Sequence, residues 1–198
     1  KQNTQADSLI KNEYLVSVTD VLDANGQSIF VKKEVDEMGN TTYSESTITE
    51  VTLGTYTFAV GEVSDEAKRL MKITEEALYE GIKMAVAGNR IGDISNAVQT
   101  YCEKNGYYVV RKYIGHGIGR DMHEDPEVPN YGKPGRGPRL YAGMTLAVEP
   151  MVNAGVKDIY LEDNGWDVRT ADGKNSAHFE FMVAVKKGVP EVLTTFEY

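Results

Sequence analysis

Apolar and polar positions alternate along the front of this chain, shift to a helical period in the middle, and alternate again towards the end. Tyr14 to Leu22 reads as an apolar strand, closed by turn-forming Asp23-Ala24-Asn25-Gly26. Ser28 to Val35 and Thr41 to Glu50 are polar, β-branched runs joined through Glu37-Met38-Gly39-Asn40, which signals a hairpin. Val51 to Val60 returns to the core sheet. Ser64 then caps a helix, with Asp65 and Glu66 suited to the positive end of its dipole. Leu70, Ile73, Ala77, Leu78, Ile82 and Ala85 form its buried stripe. A second helix, Asp93 to Lys104, stops at Asn105-Gly106. Tyr107 to Tyr113 reads as a strand leading into a loop that carries His116. Met144 to Asn153 and Ala177 to Val185 read as two more strands, separated by a hairpin-like excursion through Asn164-Gly165-Trp166 and Ala171-Asp172-Gly173.

Three polar residues break this pattern where chemistry is expected. His116 stands between Gly115 and Gly117, and small neighbours let an imidazole be presented at a confined site. Glu149 follows Leu146-Ala147-Val148 and precedes Pro150, while Glu180 sits between Phe179 and Phe181. A carboxylate buried in such surroundings is costly without a partner, so a cation or a charged hydrogen-bond network is expected at both. One His and two Glu from separate segments make a mixed nitrogen and oxygen metal site. His178 shares a face with Glu180 by the two-residue period and is expected to hydrogen-bond behind the ligands rather than to ligate. On the residues alone His123 reads as well as a loop-capping histidine, and Arg136 and Arg139 as a solvated loop anchored by prolines.

Several strings occur in one order: Thr57-Phe58-Ala59-Val60-Gly61-Glu62, Gly88-Asn89-Arg90-Ile91-Gly92-Asp93-Ile94, the His116 stretch through His123-Glu124-Asp125-Pro126, Tyr131-Gly132-Lys133-Pro134-Gly135-Arg136-Gly137-Pro138-Arg139-Leu140, and the segments around Glu149 and Glu180. Together they resemble the C-terminal part of type I methionine aminopeptidases, the pita-bread metallopeptidases, rather than proline-specific relatives. The resemblance implies an α/β pita-bread fold, creatinase/aminopeptidase-like, with an antiparallel sheet and flanking helices. It would be truncated at its N-terminus, with a family-like core over 57–194 and an inserted β-hairpin over 24–50. It assigns His116, Glu149 and Glu180 to metal, His123 and Glu149 to catalysis, and His123, Met122 and Trp166 to substrate. Trp166 reads equally as a core anchor.

The departures from the family matter as much. Register places Leu53 and Thr19 where the two Asp ligands belong, and Lys1 where an upstream His belongs. Asp20 would need a β-bulge to replace Thr19, and Glu50 a register change to replace Leu53, so both read as surface carboxylates. Two carboxylates cancel half the charge of two divalent ions, so one ion is expected rather than two. His with carboxylates suits Mn(II), Fe(II), Co(II) or Zn(II) without choosing sharply among them.

Composition narrows the function class. A length of 198 residues buries one substantial core, and nothing marks a linker, so 1–198 reads as a single domain. A net charge of −9 argues against a nucleic-acid partner. No apolar run approaches the roughly 20 residues of a membrane span. Cys102, the only cysteine, fits a reducing cytoplasm and reads as a partly packed thiol. The expected function is metal-dependent removal of N-terminal methionine from peptides or nascent proteins by a cytoplasmic monomer. The alternative is a non-catalytic peptide- or protein-binding relative, or a degenerate enzyme fragment, in which the lost Asp positions were never replaced.

Overall fold

Two bent pairs of strands carry the architecture. The computed structural model describes the backbone at 15–22, 32–35, 41–44 and 52–194, and side chains at 54–194. Strands β1 (Leu15–Leu22), β2 (Lys32–Val35), β3 (Thr41–Ser44) and β4 (Thr52–Ala59) precede helices α1 (Asp65–Lys83) and α2 (Ile91–Lys104). Ten more strands follow: β5 (Tyr108–Val109), β6 (Gly115–Gly117), β7 (Glu124–Val128), β8 (Thr145–Val148), β9 (Met151–Asn153), β10 (Ile159–Leu161), β11 (Val168–Thr170), β12 (Ser176–His178), β13 (Glu180–Ala184) and β14 (Glu191–Val192). The main sheet runs β1-β4-β13-β8-β6-β7, with β14 also on β13, and every pairing in it is antiparallel. A smaller sheet runs β12-β9-β5. Hairpins β2–β3 and β10–β11 stand apart, and the first falls between β1 and β4, as the inserted run predicts. The turns at 23–26 and 37–40, and Glu50, lie outside the described residues.

Met144 to Asn153 is two strands, not one. β8 belongs to the main sheet and β9 to the smaller one, with Glu149 and Pro150 between them. Pro150 has no N–H to continue a ladder, so the chain turns there. The facing run bends in step: β12 pairs with β9, β13 pairs with β8, and Phe179 stands between them, its N–H donating to Pro150 O at 3.3 Å. The regular alternation expected from Ala177 to Val185 is interrupted for the same reason. Tyr107 to Tyr113 is likewise shorter than expected, with Tyr108 and Val109 paired to β9 and Val110 N donating to Met151 O at 2.8 Å.

His116 lies on a strand rather than in a loop. β6 is wedged between β8 and β7, and His116 pairs with Ala147. A Cβ at Gly115 would run into the Ala147 carbonyl oxygen, and one at Gly117 into that of Asp125. The flanking glycines are therefore needed for close strand approach.

The helices cover one face of the sheet. Ser64 Oγ accepts from Ala67 N at 3.2 Å, and Leu70, Ile73, Ala77, Leu78 and Ile82 are buried as the stripe predicts. α2 starts at Ile91, two residues before the expected Asp93, because the Asp93 carboxylate accepts from Arg90 N at 2.8 Å and satisfies the backbone N–H of the N-cap. The helices touch at Gly81, where a Cβ would come within 2.6 Å of Val98 Cγ2. Leu70, Leu78, Ile94 and Val98 share a core with Leu146, Val148, Phe181 and Val183. These strand residues alternate with Ala147, Glu180 and Met182, which consequently line the opposite face. Among the described residues no helix is long and apolar enough to cross a membrane.

Candidate metal centre

The site forms on that opposite face, at the two bends. Glu149 extends from the end of β8, Glu180 opens β13, and His116 comes from β6 on the other side of β8. Each offers a ligand atom, and these atoms lie within 4.8 Å of one another. Glu149 is bracketed by two imidazoles: His116 Nε2 is 3.7 Å from its Oε1 and His178 Nε2 is 3.4 Å from its Oε2. The His178 contact lacks hydrogen-bond geometry, and its Nε2 has no hydrogen-bond partner.

The surrounding groups fix what each ligand can do. His116 Nδ1 lies 2.8 Å from Gly117 O. A carbonyl oxygen only accepts, so Nδ1 carries the proton and Nε2 presents its lone pair. Thr55 Oγ1 donates to Glu180 Oε2 at 2.7 Å, leaving Glu180 Oε1 buried without a hydrogen-bond partner. Thr57 Oγ1 donates to His178 O at 2.8 Å and accepts from His178 N at 2.9 Å, locking the backbone of that histidine. Asn130 Nδ2 donates to the Glu149 carbonyl at 3.0 Å. Glu180 is only 3% exposed. Burial pushes its carboxyl above the ordinary carboxylate range, the Glu149 charge pushes it further, and the Thr55 hydrogen bond pulls back. A buried, unpaired carboxylate oxygen beside a second carboxylate and a histidine lone pair is a donor set suited to one divalent cation.

The remaining expected residues are placed as follows. The His123 ring centroid is 4.2 Å from that of His116, at an interplanar angle of 50°, and His123 is exposed. Met122 lines a cavity of about 350 Å³ with Ile118, Thr145, Met182 and Leu193. Met182 and His116 both pair with Ala147, so this cavity adjoins the ligand row. Trp166 is 85% exposed in the turn between β10 and β11, and it anchors no core. Arg136 and Arg139 are exposed, as a solvated loop requires. A larger cavity of about 750 Å³, between the start of α2 and the 125–138 stretch, is lined by none of His116, Glu149 and Glu180. The side chains of Thr19, Asp20 and Leu53 lie outside the described residues. In the backbone register, Thr19 pairs with Thr55 and Thr55 with Glu180. Thr55, Thr57 and Asn130 were not anticipated. The two-residue spacing of Thr55 and Thr57 on a strand was a signal for the first two, and Asn130 had none.

The Metallopeptidase family M24 model matches residues 51–187, which include His116, Glu149 and Glu180. The chain belongs to this family. Over 138 residues it is 58% identical to a methionine aminopeptidase of Clostridium perfringens, a similarity that takes in 70% of this chain and 55% of that one. Among solved structures it resembles methionine aminopeptidase from Thermotoga maritima, with TM-score 0.72 and 42% identity over 74% of this chain and 59% of that one. It also resembles methionine aminopeptidase from Rickettsia prowazekii, with TM-score 0.71 and 33% identity over 90% and 73%. The chain spans little more than half the length of its curated clostridial relative. The M24 pita-bread fold expected from the motifs is therefore the fold observed.

Proposed function

We propose that this chain is a metal-dependent aminopeptidase that removes N-terminal methionine from peptides and nascent proteins, holding one divalent ion on His116, Glu149 and Glu180. The observation that carries the reading is the convergence of these three ligand atoms within 4.8 Å in a chain so similar to methionine aminopeptidases. A bound Mn(II), Fe(II), Co(II) or Zn(II) ion supplies a Lewis acid for the scissile carbonyl and makes water more acidic. Glu149 accepts the proton of the attacking water and returns it to the leaving amine. His178, 3.4 Å from Glu149 Oε2, restrains that carboxylate. His123, beside His116, donates an N–H to the oxygen that gains charge in the tetrahedral adduct. The cavity lined by Met122 and Met182 receives an unbranched apolar side chain, and Trp166 contacts substrate by family resemblance. A monomer in the cytoplasm fits the single cysteine and the net charge of −9.

A second reading has two observations in its favour. The family's Asp positions hold Thr19 and Leu53, and the Thr55 hydroxyl occupies one Glu180 oxygen. On that reading the chain binds peptides without cleaving them. Native mass spectrometry after anaerobic loading with Mn(II) or Co(II), followed by hydrolysis of a methionyl tripeptide, separates the two. One ion per chain, lost in His116→Ala, together with methionine release, supports the enzyme. No ion, with chelator-insensitive peptide binding, supports the binding module.

A further inference from the structure

Glu149 stands where the main-chain ladder is broken, so its backbone needs support from elsewhere. β8 ends at Val148, and Pro150 has no N–H. The Glu149 carbonyl accepts instead from Asn130 Nδ2 at 3.0 Å. Asn130 lies just past the end of β7, and its amide reaches the end of β8 although β6 separates the two strands within the sheet. It is 1% exposed, and its Oδ1 is buried without a hydrogen-bond partner. An apolar side chain of similar volume would fill the same space without that unpaired acceptor. The amide thus carries a desolvation cost that packing does not explain, while its donor meets the carbonyl of Glu149, a candidate metal ligand.

We infer that Asn130 is a positioning residue, holding the Glu149 peptide so that its carboxylate meets His116 and Glu180 at the metal site. The inference rests on the metal-dependent reading above. It is tested by titrating Co(II) into anaerobic wild-type protein and Asn130→Leu by calorimetry, with visible absorption of the Co(II) form recorded in parallel. The expected result is a Co(II) affinity about 10- to 100-fold weaker in the variant, the range seen when groups behind metal ligands are removed, with an altered d–d spectrum. If Asn130→Leu does not fold by circular dichroism, Asn130→Ala is read in the same way. A variant that loses apo stability yet binds Co(II) with wild-type affinity and spectrum overturns the inference and leaves a packing role. Absence of Co(II) binding in the wild type overturns the metal reading itself, and this inference with it, an outcome visible before any variant is made.

Discussion

Replacing Glu180 with Gln should stabilise the metal-free protein while weakening its response to metal. The ligand atoms of Glu149 and Glu180 lie within 4.8 Å of one another. At an effective dielectric of about 20, two full charges at that separation repel by about 3.5 kcal/mol. The Thr55 hydrogen bond survives the substitution, because a Gln carbonyl oxygen also accepts. Relaxation around the pair offsets part of this repulsion, so the expected gain is roughly 1–3 kcal/mol at pH 7.5, or roughly 2–12 °C in the melting temperature of a chain this long. The pH dependence fixes the sign. The folded-state pKa of Glu180 is raised, so between the ordinary carboxylate value and the raised one the folded protein holds more protons than the unfolded chain. Wild-type stability from this group therefore falls as pH rises through that window and stays low above it. Below the ordinary value Glu180 is neutral in both states, and the advantage of Gln disappears. Metal reverses the order, since an ion at 1,000 times its dissociation constant adds about 4.1 kcal/mol to a protein that binds it. Calorimetric melts at pH 4 and pH 7.5, with chelator and with Mn(II), read all four corners. A Glu180→Gln protein no more stable than wild type in chelator at pH 7.5 would refute the electrostatic account.

Two other expectations follow from packing. Gly117→Ala places a Cβ against the Asp125 carbonyl oxygen and should cost roughly 1–3 kcal/mol in urea unfolding while displacing His116 and reducing Mn(II) binding; unchanged stability and binding would mean that β6 and β7 are not so closely packed. Burial pushes the Cys102 thiol up to about 12. At pH 8 it should therefore resist a disulfide-exchange reagent until the protein is unfolded, whereupon one thiol per chain is released for titration.

The α1 stripe and the strong motifs were legible because helical periodicity and residue identity are local properties. The bends were not, because apolar residues continue through Glu149-Pro150 and through Phe179 as they would in one unbroken strand. A proline beside an acidic residue was the only local sign that β8 and β9 belong to different sheets. Partners of the ligands were harder still: Thr55 meets Glu180 across 125 residues of chain, and Asn130 meets the Glu149 carbonyl across 19. Such contacts depend on register, and register also bears on how many ions this site can hold. Positions 19, 55 and 180 form one cross-strand row. The first two are threonines, and Thr55 already binds one Glu180 oxygen. Whatever its rotamer, a neutral hydroxyl at position 19 cannot supply the charge that a second divalent ion requires beside the first. That row is the physical basis for proposing a one-ion centre, and Thr19→Asp combined with Leu53→Asp is the substitution pair that should raise the Co(II) stoichiometry from one towards two.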